Sequence, residues 1–171
     1  IVATTADVRA DLVQNLAKVF KVRFWLLEKI LAQSPEQVDE LLQNTLNASG
    51  IWVNTNRRML VWHQQLREYI SEQLPLKAKV GNNFWNLACN GIHYLDLISW
   101  YSGEELVKID TTELDHDWLE SKRPGFMEVT GVLRAFYSKG SELLLESRTD
   151  GEEFLIKVET AAGPWIINEF E

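Results

Sequence analysis

The chain has 171 residues, 46% of them hydrophobic and 25% charged, which suits one globular domain or one and part of another. Seventeen basic against 25 acidic residues leave a net charge of −8, which disfavours a polyphosphate backbone and sets nucleic acid aside as a partner. One Cys excludes an internal disulfide, three scattered His (63, 93, 116) form no metal-ligand cluster, and neither a run of about 18 apolar residues nor a signal-peptide pattern occurs, so a cytoplasmic protein without metal or membrane span is expected.

Ile1-Val2-Ala3-Thr4 reads as the end of a buried strand and Trp165 to Glu171 as another, so both ends look cut from a longer protein. Thr5 is a fair N-cap for a helix with Val8, Leu12, Leu16 and Val19 on one face. Val22 to Leu27 is bounded like a buried strand and runs into Glu28-Lys29-Ile30-Leu31-Ala32. Ser34-Pro35-Glu36-Gln37 is a strong helix start, with Ser as cap, Pro at the first helical position and Gln three residues after the cap. Val38, Leu41, Leu42 and Leu46 supply the apolar face of that helix. The rhythm predicts a parallel, doubly wound sheet, whose ligands bind at the carboxyl ends of the strands, where Thr4-Thr5 and Glu28-Lys29 lie.

Ile51 to Asn54 predicts a further strand, and Arg57 to Gln73 a helix with Met59, Trp62, Leu66, Tyr69 and Ile70 inward. After Pro75, Lys77 to Val80 reads as a short strand leading into the polar and aromatic loop Gly81-Asn82-Asn83-Phe84-Trp85. The next helix opens near Cys89 and stops at Gly103. Cys89, His93, Asp96 and Trp100 fall on one face of it, with Ile92, Leu95 and Ile98 on the other. A thiol, an imidazole and a carboxylate along one stripe form a candidate site, and His is the side chain suited to proton transfer near neutral pH. The same stripe fits a core-facing His hydrogen-bonded to Asp96. Trp85 fits core filler as well as a pocket wall, and Arg57 and Arg58 fit a solvated helix start.

Beyond Gly103 the period changes to two. Leu106 to Thr112 is a strand, and Glu113 to Pro124 a charged loop or short helical excursion. Met127 to Tyr137, Leu143 to Leu145, Phe154 to Glu159 and Trp165 to Ile167, separated by Lys139-Gly140, Asp150-Gly151 and Ala161 to Pro164, predict an antiparallel sheet with one apolar face.

This order resembles the Gfo/Idh/MocA family of NAD(P)-dependent dehydrogenases, which are similar to glucose–fructose oxidoreductase and inositol dehydrogenase. The residues that carry the resemblance are Ala3-Thr4, Glu28-Lys29-Ile30-Leu31-Ala32, and Cys89-Asn90-Gly91-Ile92-His93-Tyr94-Leu95-Asp96, where the family has Glu-Lys-Pro and Asp-x-Gly-x-His-x-x-Asp. The resemblance implies the tail of a Rossmann dinucleotide-binding domain over 1–50. An α+β domain with an open, mainly antiparallel sheet over 51–171 would bind substrate and associate into a homodimer or homotetramer. It implies NAD or NADP as cofactor and a sugar, nucleotide sugar or polyol as substrate. Lys29 and His93 would be catalytic and would converge on a single cleft. Thr4, Thr5, Glu28 and Lys29 would face the cofactor, and Arg58, Trp85, Asn86, Cys89, Asn90 and Asp96 the substrate.

Two residues depart from the family: Ile30 replaces its Pro, and Cys89 replaces an Asp, removing a carboxylate. The Gly-rich turn that approaches a pyrophosphate is absent and would precede residue 1. The alternative reading is therefore a non-catalytic oligomerisation or carbohydrate-binding module derived from that family.

Overall fold

Residues 1–151 and 153–168 are described in a computed structural model of the chain. Two compact units emerge, Ile1–Thr55 and Asn56–Glu171. Residues 51–55, expected in the second domain, lie in the first unit because their strand pairs there.

In the first unit, β1 (Phe24–Leu27) pairs in parallel with β2 (Gly50–Val53), and Val2 bridges in parallel to Leu27 on the other side. The order Val2–β1–β2 is that of a Rossmann-type sheet, and helices α1 (Ala6–Val19) and α2 (Pro35–Thr45) are its crossovers. Val2, Ala10, Val13, Trp25, Leu27 and Leu41 form the core. The α2 start is as expected: Ser34 Oγ accepts from the Gln37 N–H at 3.3 Å, with Pro35 at the first helical position.

The expected apolar faces hold in part: Leu12 and Leu16 pack against the core and Leu41 lies in it. Helix α1 buries Arg9, Ala10 and Val13 and leaves Val8 and Val19 exposed. Helix α2 buries Leu41 and Thr45 and leaves Leu42 and Leu46 exposed. An apolar-only pattern cannot place a buried guanidinium, and Arg9 turns α1 inward by hydrogen-bonding main-chain carbonyls.

The second unit is built on a six-stranded sheet in the order β10-β9-β3-β8-β7-β4. Its strands are β3 (Lys77–Gly81), β4 (Leu106–Leu114), β7 (Gly131–Tyr137), β8 (Glu142–Ser147), β9 (Leu155–Thr160) and β10 (Gly163–Ile167). A ribbon of β5 (Leu119–Glu120) and β6 (Met127–Glu128) stands apart as its own two-stranded sheet, so the expected strand from Met127 to Tyr137 is broken before Gly131. Of the expected strand from Trp165 onward, 169–171 lie outside the described residues.

Every pairing in the large sheet is antiparallel except β3 with β8. The expected neighbours β8 and β9 do not pair. Strand β3 lies between them because its Ala78 and Val80 are small, apolar and fully inward, matched to Leu143 and Leu145 on one side and Val158 and Ile156 on the other.

Helix α4 (Leu87–Ser102) packs on this sheet through Leu87, Gly91, Tyr94, Leu97, Ile98 and Tyr101, and ends at left-handed Gly103. Ile92, expected in the core, is 38% exposed. Helix α3 (Val61–Ile70) follows a short 3-10 turn at Asn56–Met59, which shortens the expected helix. It buries His63 and Ile70 and packs Leu66 against the core, while Tyr69, and Met59 in the turn before it, are exposed. His63 stacks on Trp62 at 3.6 Å and bonds the Tyr101 hydroxyl, so an aromatic pair draws an imidazole inside.

The apolar alternation of the strands faces the helices. The opposite sheet face carries Lys79–Glu146 (2.6 Å), Lys157–Glu159 (2.7 Å) and Arg134–Glu113 (2.7 Å) around Leu144 and Phe136.

One buried carboxylate ties the unit together. Glu104, 2% exposed, accepts from the Lys139 N–H at 2.6 Å, the Ser141 N–H at 3.3 Å and the Ser141 hydroxyl at 2.5 Å, while Ser141 Oγ accepts from the Leu76 N–H. Burial alone raises its pKa, but these hydrogen bonds outweigh that and hold it below the ordinary value of 4.5. A depressed carboxylate adds stability above the unfolded-state pKa and loses it as pH falls through the folded one. Glu104→Gln is therefore expected to lose about 1–3 kcal/mol at neutral pH, and to show less acid-induced loss than wild type below the ordinary pKa. Urea unfolding at neutral and acidic pH reads both effects.

Candidate active site

Strand β3 ends at Gly81, whose φ of +126° and tight surroundings exclude a side chain: a Cβ there would lie 1.7 Å from the Glu146 carbonyl oxygen. Asn82 (φ 96°) and Asn86 (φ 59°) follow in left-handed conformation, which Asn tolerates better than most residues. The loop thus turns sharply and delivers Asn83, Phe84 and Trp85 just ahead of α4. Trp85 is 9% exposed, donates Nε1–H to the Glu146 carbonyl at 2.7 Å, and meets Tyr94 and Phe154 edge-on at 5.3 and 5.6 Å. Asn90 Nδ2 donates to the Trp85 carbonyl at 2.9 Å and fixes the loop to the first turn of α4.

Asn90, His93 and Tyr94, three and four residues apart on α4, line a cavity of about 450 Å³ with Arg57, Asn83, Phe84, Trp85 and Phe154. His93 is 9% exposed. Arg57 comes from the 3-10 turn, lies 4.4 Å over the Tyr94 ring and donates to its hydroxyl at 2.9 Å. The lining therefore offers aromatic faces, amides, a guanidinium and an imidazole, a set that can bind hydroxyl groups and move a proton.

Of the expected substrate residues, the cavity takes in Trp85 and Asn90. Asp96 accepts from Arg58 through both carboxylate oxygens, one of them at 2.7 Å, so these two residues hold each other. Cys89 is exposed and Asn86 forms the left-handed entry to α4. The positive end of α4 meets a protein carboxylate: Glu128, 3% exposed, accepts from the Ala88 N–H at 2.9 Å. Arg57, Asn83 and Phe84 complete the lining, and the run of Gly and Asn at 81–83 was the signal in the sequence that the chain turns back there.

The expected cofactor residues lie at the carboxyl ends of the first unit's parallel strands. Thr4 Oγ1 is buried without a hydrogen-bond partner, and Thr5 caps α1 by position with no side-chain bond. The Glu28 carboxylate accepts from its neighbour's main-chain Lys29 N–H at 3.0 Å and from Asn54 Nδ2 at 3.0 Å. Lys29 is half-buried in the following loop, and its peptide to Ile30 is cis. Arg9 holds this loop and the Thr4 carbonyl, a contact that periodicity did not foresee.

Among the described residues, no group of three or more His, Cys, Asp or Glu is placed to hold a metal ion, and no helix is long and apolar enough to cross a membrane.

No protein-family model matches the chain, and no curated protein matches it by sequence. Solved structures match it by shape. The myo-inositol dehydrogenase of Lactobacillus casei, in complex with NAD(H) and myo-inositol, superposes with a TM-score of 0.68 at 18% identity over 99% of this chain and 54% of that one. The apo scyllo-inositol dehydrogenase of Lactobacillus casei gives 0.64 at 14% identity over 98% and 55%. The WlbA dehydrogenase of Thermus thermophilus, in complex with NAD and alpha-ketoglutarate, gives 0.63 at 14% identity over 98% and 59%. The chain thus spans little more than half the length of the structures it matches. It has the fold of the Gfo/Idh/MocA dehydrogenases, the end of a Rossmann-type parallel sheet followed by an α+β unit on an open, mainly antiparallel sheet.

Proposed function

We propose that the protein carrying this chain is an NAD(P)-dependent oxidoreductase that moves hydride between the cofactor and a hydroxyl-bearing carbon of a sugar, nucleotide sugar or polyol. The observation that carries this reading is the cavity in which His93 lies beside Asn83, Asn90 and Arg57 against Trp85, Tyr94 and Phe154. Sugar and polyol faces stack on aromatic rings while their hydroxyls bond amides and guanidinium groups. The fold shared with a myo-inositol complex supports that substrate class.

The first unit fits the nicotinamide end of a dinucleotide. Thr4 Oγ1 is a buried polar atom with no partner at the strand ends, beside Thr5 and the Glu28–Lys29 loop. Bound NAD(P) supplies the two-electron acceptor for the carbinol hydrogen. Thr4, Thr5 and Glu28 orient the cofactor edge, and the Lys29 ammonium stabilises the reacting oxygen as a compact charge. His93 accepts the hydroxyl proton at an imidazole nitrogen as the carbonyl forms, and returns it in the reverse reaction. Trp85 and Asn90 bind substrate; Arg58 with Asp96, and Asn86 with Cys89, shape the approach from either side of the α4 stripe. A second copy of the chain covers the open sheet face in a homodimer or homotetramer.

His93→Ala in the full-length protein tests the reading. Turnover is expected to fall about 10²–10⁴-fold in protein that stays folded by circular dichroism. Turnover near wild type would remove His93 from the chemistry.

A further inference from the structure

We infer that Arg9 is the positioning residue of the strand-end edge that carries Thr4 and Lys29, fixing the main chain on both sides of that edge with one guanidinium. This deepens the proposed function and rests on its assignment of Lys29.

Arg9 is 1% exposed although it carries a guanidinium, on a helix whose other buried residues are Ala10 and Val13. Its Nη1 donates to the Ile30 carbonyl and, at 2.8 Å, to the Leu31 carbonyl, while its Nη2 donates to the Thr4 carbonyl. Those carbonyls belong to two separate loops, one after the Val2 strand position and one after β1, 26 or more residues apart in sequence. A guanidinium presents its donors in a rigid planar fork and can span three acceptors at fixed angles. An ammonium is a single point and cannot.

Burial of a charge is costly, and burial lowers the Arg9 pKa, with Glu28 and Asp7 as the compensating carboxylates. Satisfying loop carbonyls alone does not demand a charge, since a neutral side chain or water does the same. What the guanidinium adds is a planar fork of fixed geometry where two loops meet, with Ile30 held next to Lys29 and Thr4 held beneath its partnerless hydroxyl. Half-buried Lys29 therefore projects from a main chain held on its carboxyl side by Arg9 and at its own N–H by the Glu28 carboxylate, which Asn54 in turn anchors.

The test reads Lys29 directly. Full-length wild type, Arg9→Lys and Arg9→Gln are treated with limiting acetic anhydride, and acetylation of Lys29 is compared by peptide mass spectrometry with that of exposed Lys18 and Lys21. Arg9→Lys keeps charge and stem, so it is the variant to read if Arg9→Gln does not fold. Lys29 acetylation is expected to rise several-fold relative to the two references, with kcat falling about 10²-fold and the cofactor KM changing less. A lower thermal midpoint with unchanged Lys29 acetylation and unchanged kcat would make Arg9 purely structural and overturn the inference. Turnover that survives Lys29→Ala would instead overturn the assignment of Lys29, while the acetylation comparison would still decide the clamp.

Discussion

Replacing Lys29 by Ala in the full-length protein is expected to cut hydride transfer by about 10²–10⁴-fold and leave the fold intact. The second half of that statement follows from the local contacts. Glu28 is held through the main-chain N–H of residue 29 and through Asn54, and Arg9 holds the carbonyls of Ile30 and Leu31; none of these bonds uses the Lys29 side chain. Alanine preserves all of them, which keeps the main chain of the loop in place. The loss in rate follows from chemistry, because an ammonium beside a developing alkoxide acts chiefly in the transition state and its removal lowers kcat more than it raises KM. Lys29→Arg should not restore the rate, since the planar fork is larger and spreads its charge. Steady-state kinetics with thermal unfolding on the same samples checks both parts, and turnover within a few-fold of wild type would take Lys29 out of the mechanism.

The largest stability effect is expected at Gly81→Ala, at about 4 kcal/mol or more. A Cβ there would sit 1.7 Å from the Glu146 carbonyl oxygen and 2.8 Å from its carbon, both main-chain atoms of the paired strand β8. Neither can swing aside as a side-chain tip would. The φ of +126° adds strain for any residue with a side chain. Relief requires β3 to pull away from β8, and the Glu146 carbonyl is also the acceptor for Trp85 Nε1–H. The substitution should therefore damage the cavity together with the sheet. Urea unfolding gives the first effect, and loss of the Trp85–Tyr94 near-ultraviolet dichroism gives the second. A midpoint within experimental scatter of wild type would show that β3 and β8 are less tightly apposed than the structure has them.

Element order was legible in the sequence because its signals are local. Ser34-Pro35 starts α2 by capping chemistry and Gly103 ends α4 in the left-handed conformation, both as expected. The period-two pattern after Gly103 marked the strands, and the chain's order of elements carried the resemblance that the shape comparison matches. Helix faces were less legible. Counting apolar residues at helical spacing put Val8, Met59 and Ile92 inside, whereas Arg9, His63 and Gly91 took those places through carbonyl bonds, ring stacking and close approach to Leu145. The position of β3 between β8 and β9 depends on pairings more than 60 residues apart, for which no local pattern exists.

Of the residues around the cavity and the start of α4, His93, Asn90 and Trp85 were named from the helix and the loop before it. Arg57 was not, because a cation at a helix start looks solvated until Tyr94 is known to lie under it. Nor was Glu128, which reaches the first turn of α4 from a ribbon 40 residues later.

Transfer of a labelled hydrogen tests the central claim most directly. The full-length protein, given NAD or NADP and a panel of sugars, nucleotide sugars and polyols deuterated at their carbinol carbons, should move deuterium to the nicotinamide ring. Mass spectrometry of the recovered cofactor reads the transfer, which should be lost in Lys29→Ala and His93→Ala. Cofactor that binds tightly but stays unlabelled with every member of the panel would contradict a dehydrogenase and leave a binding module in its place.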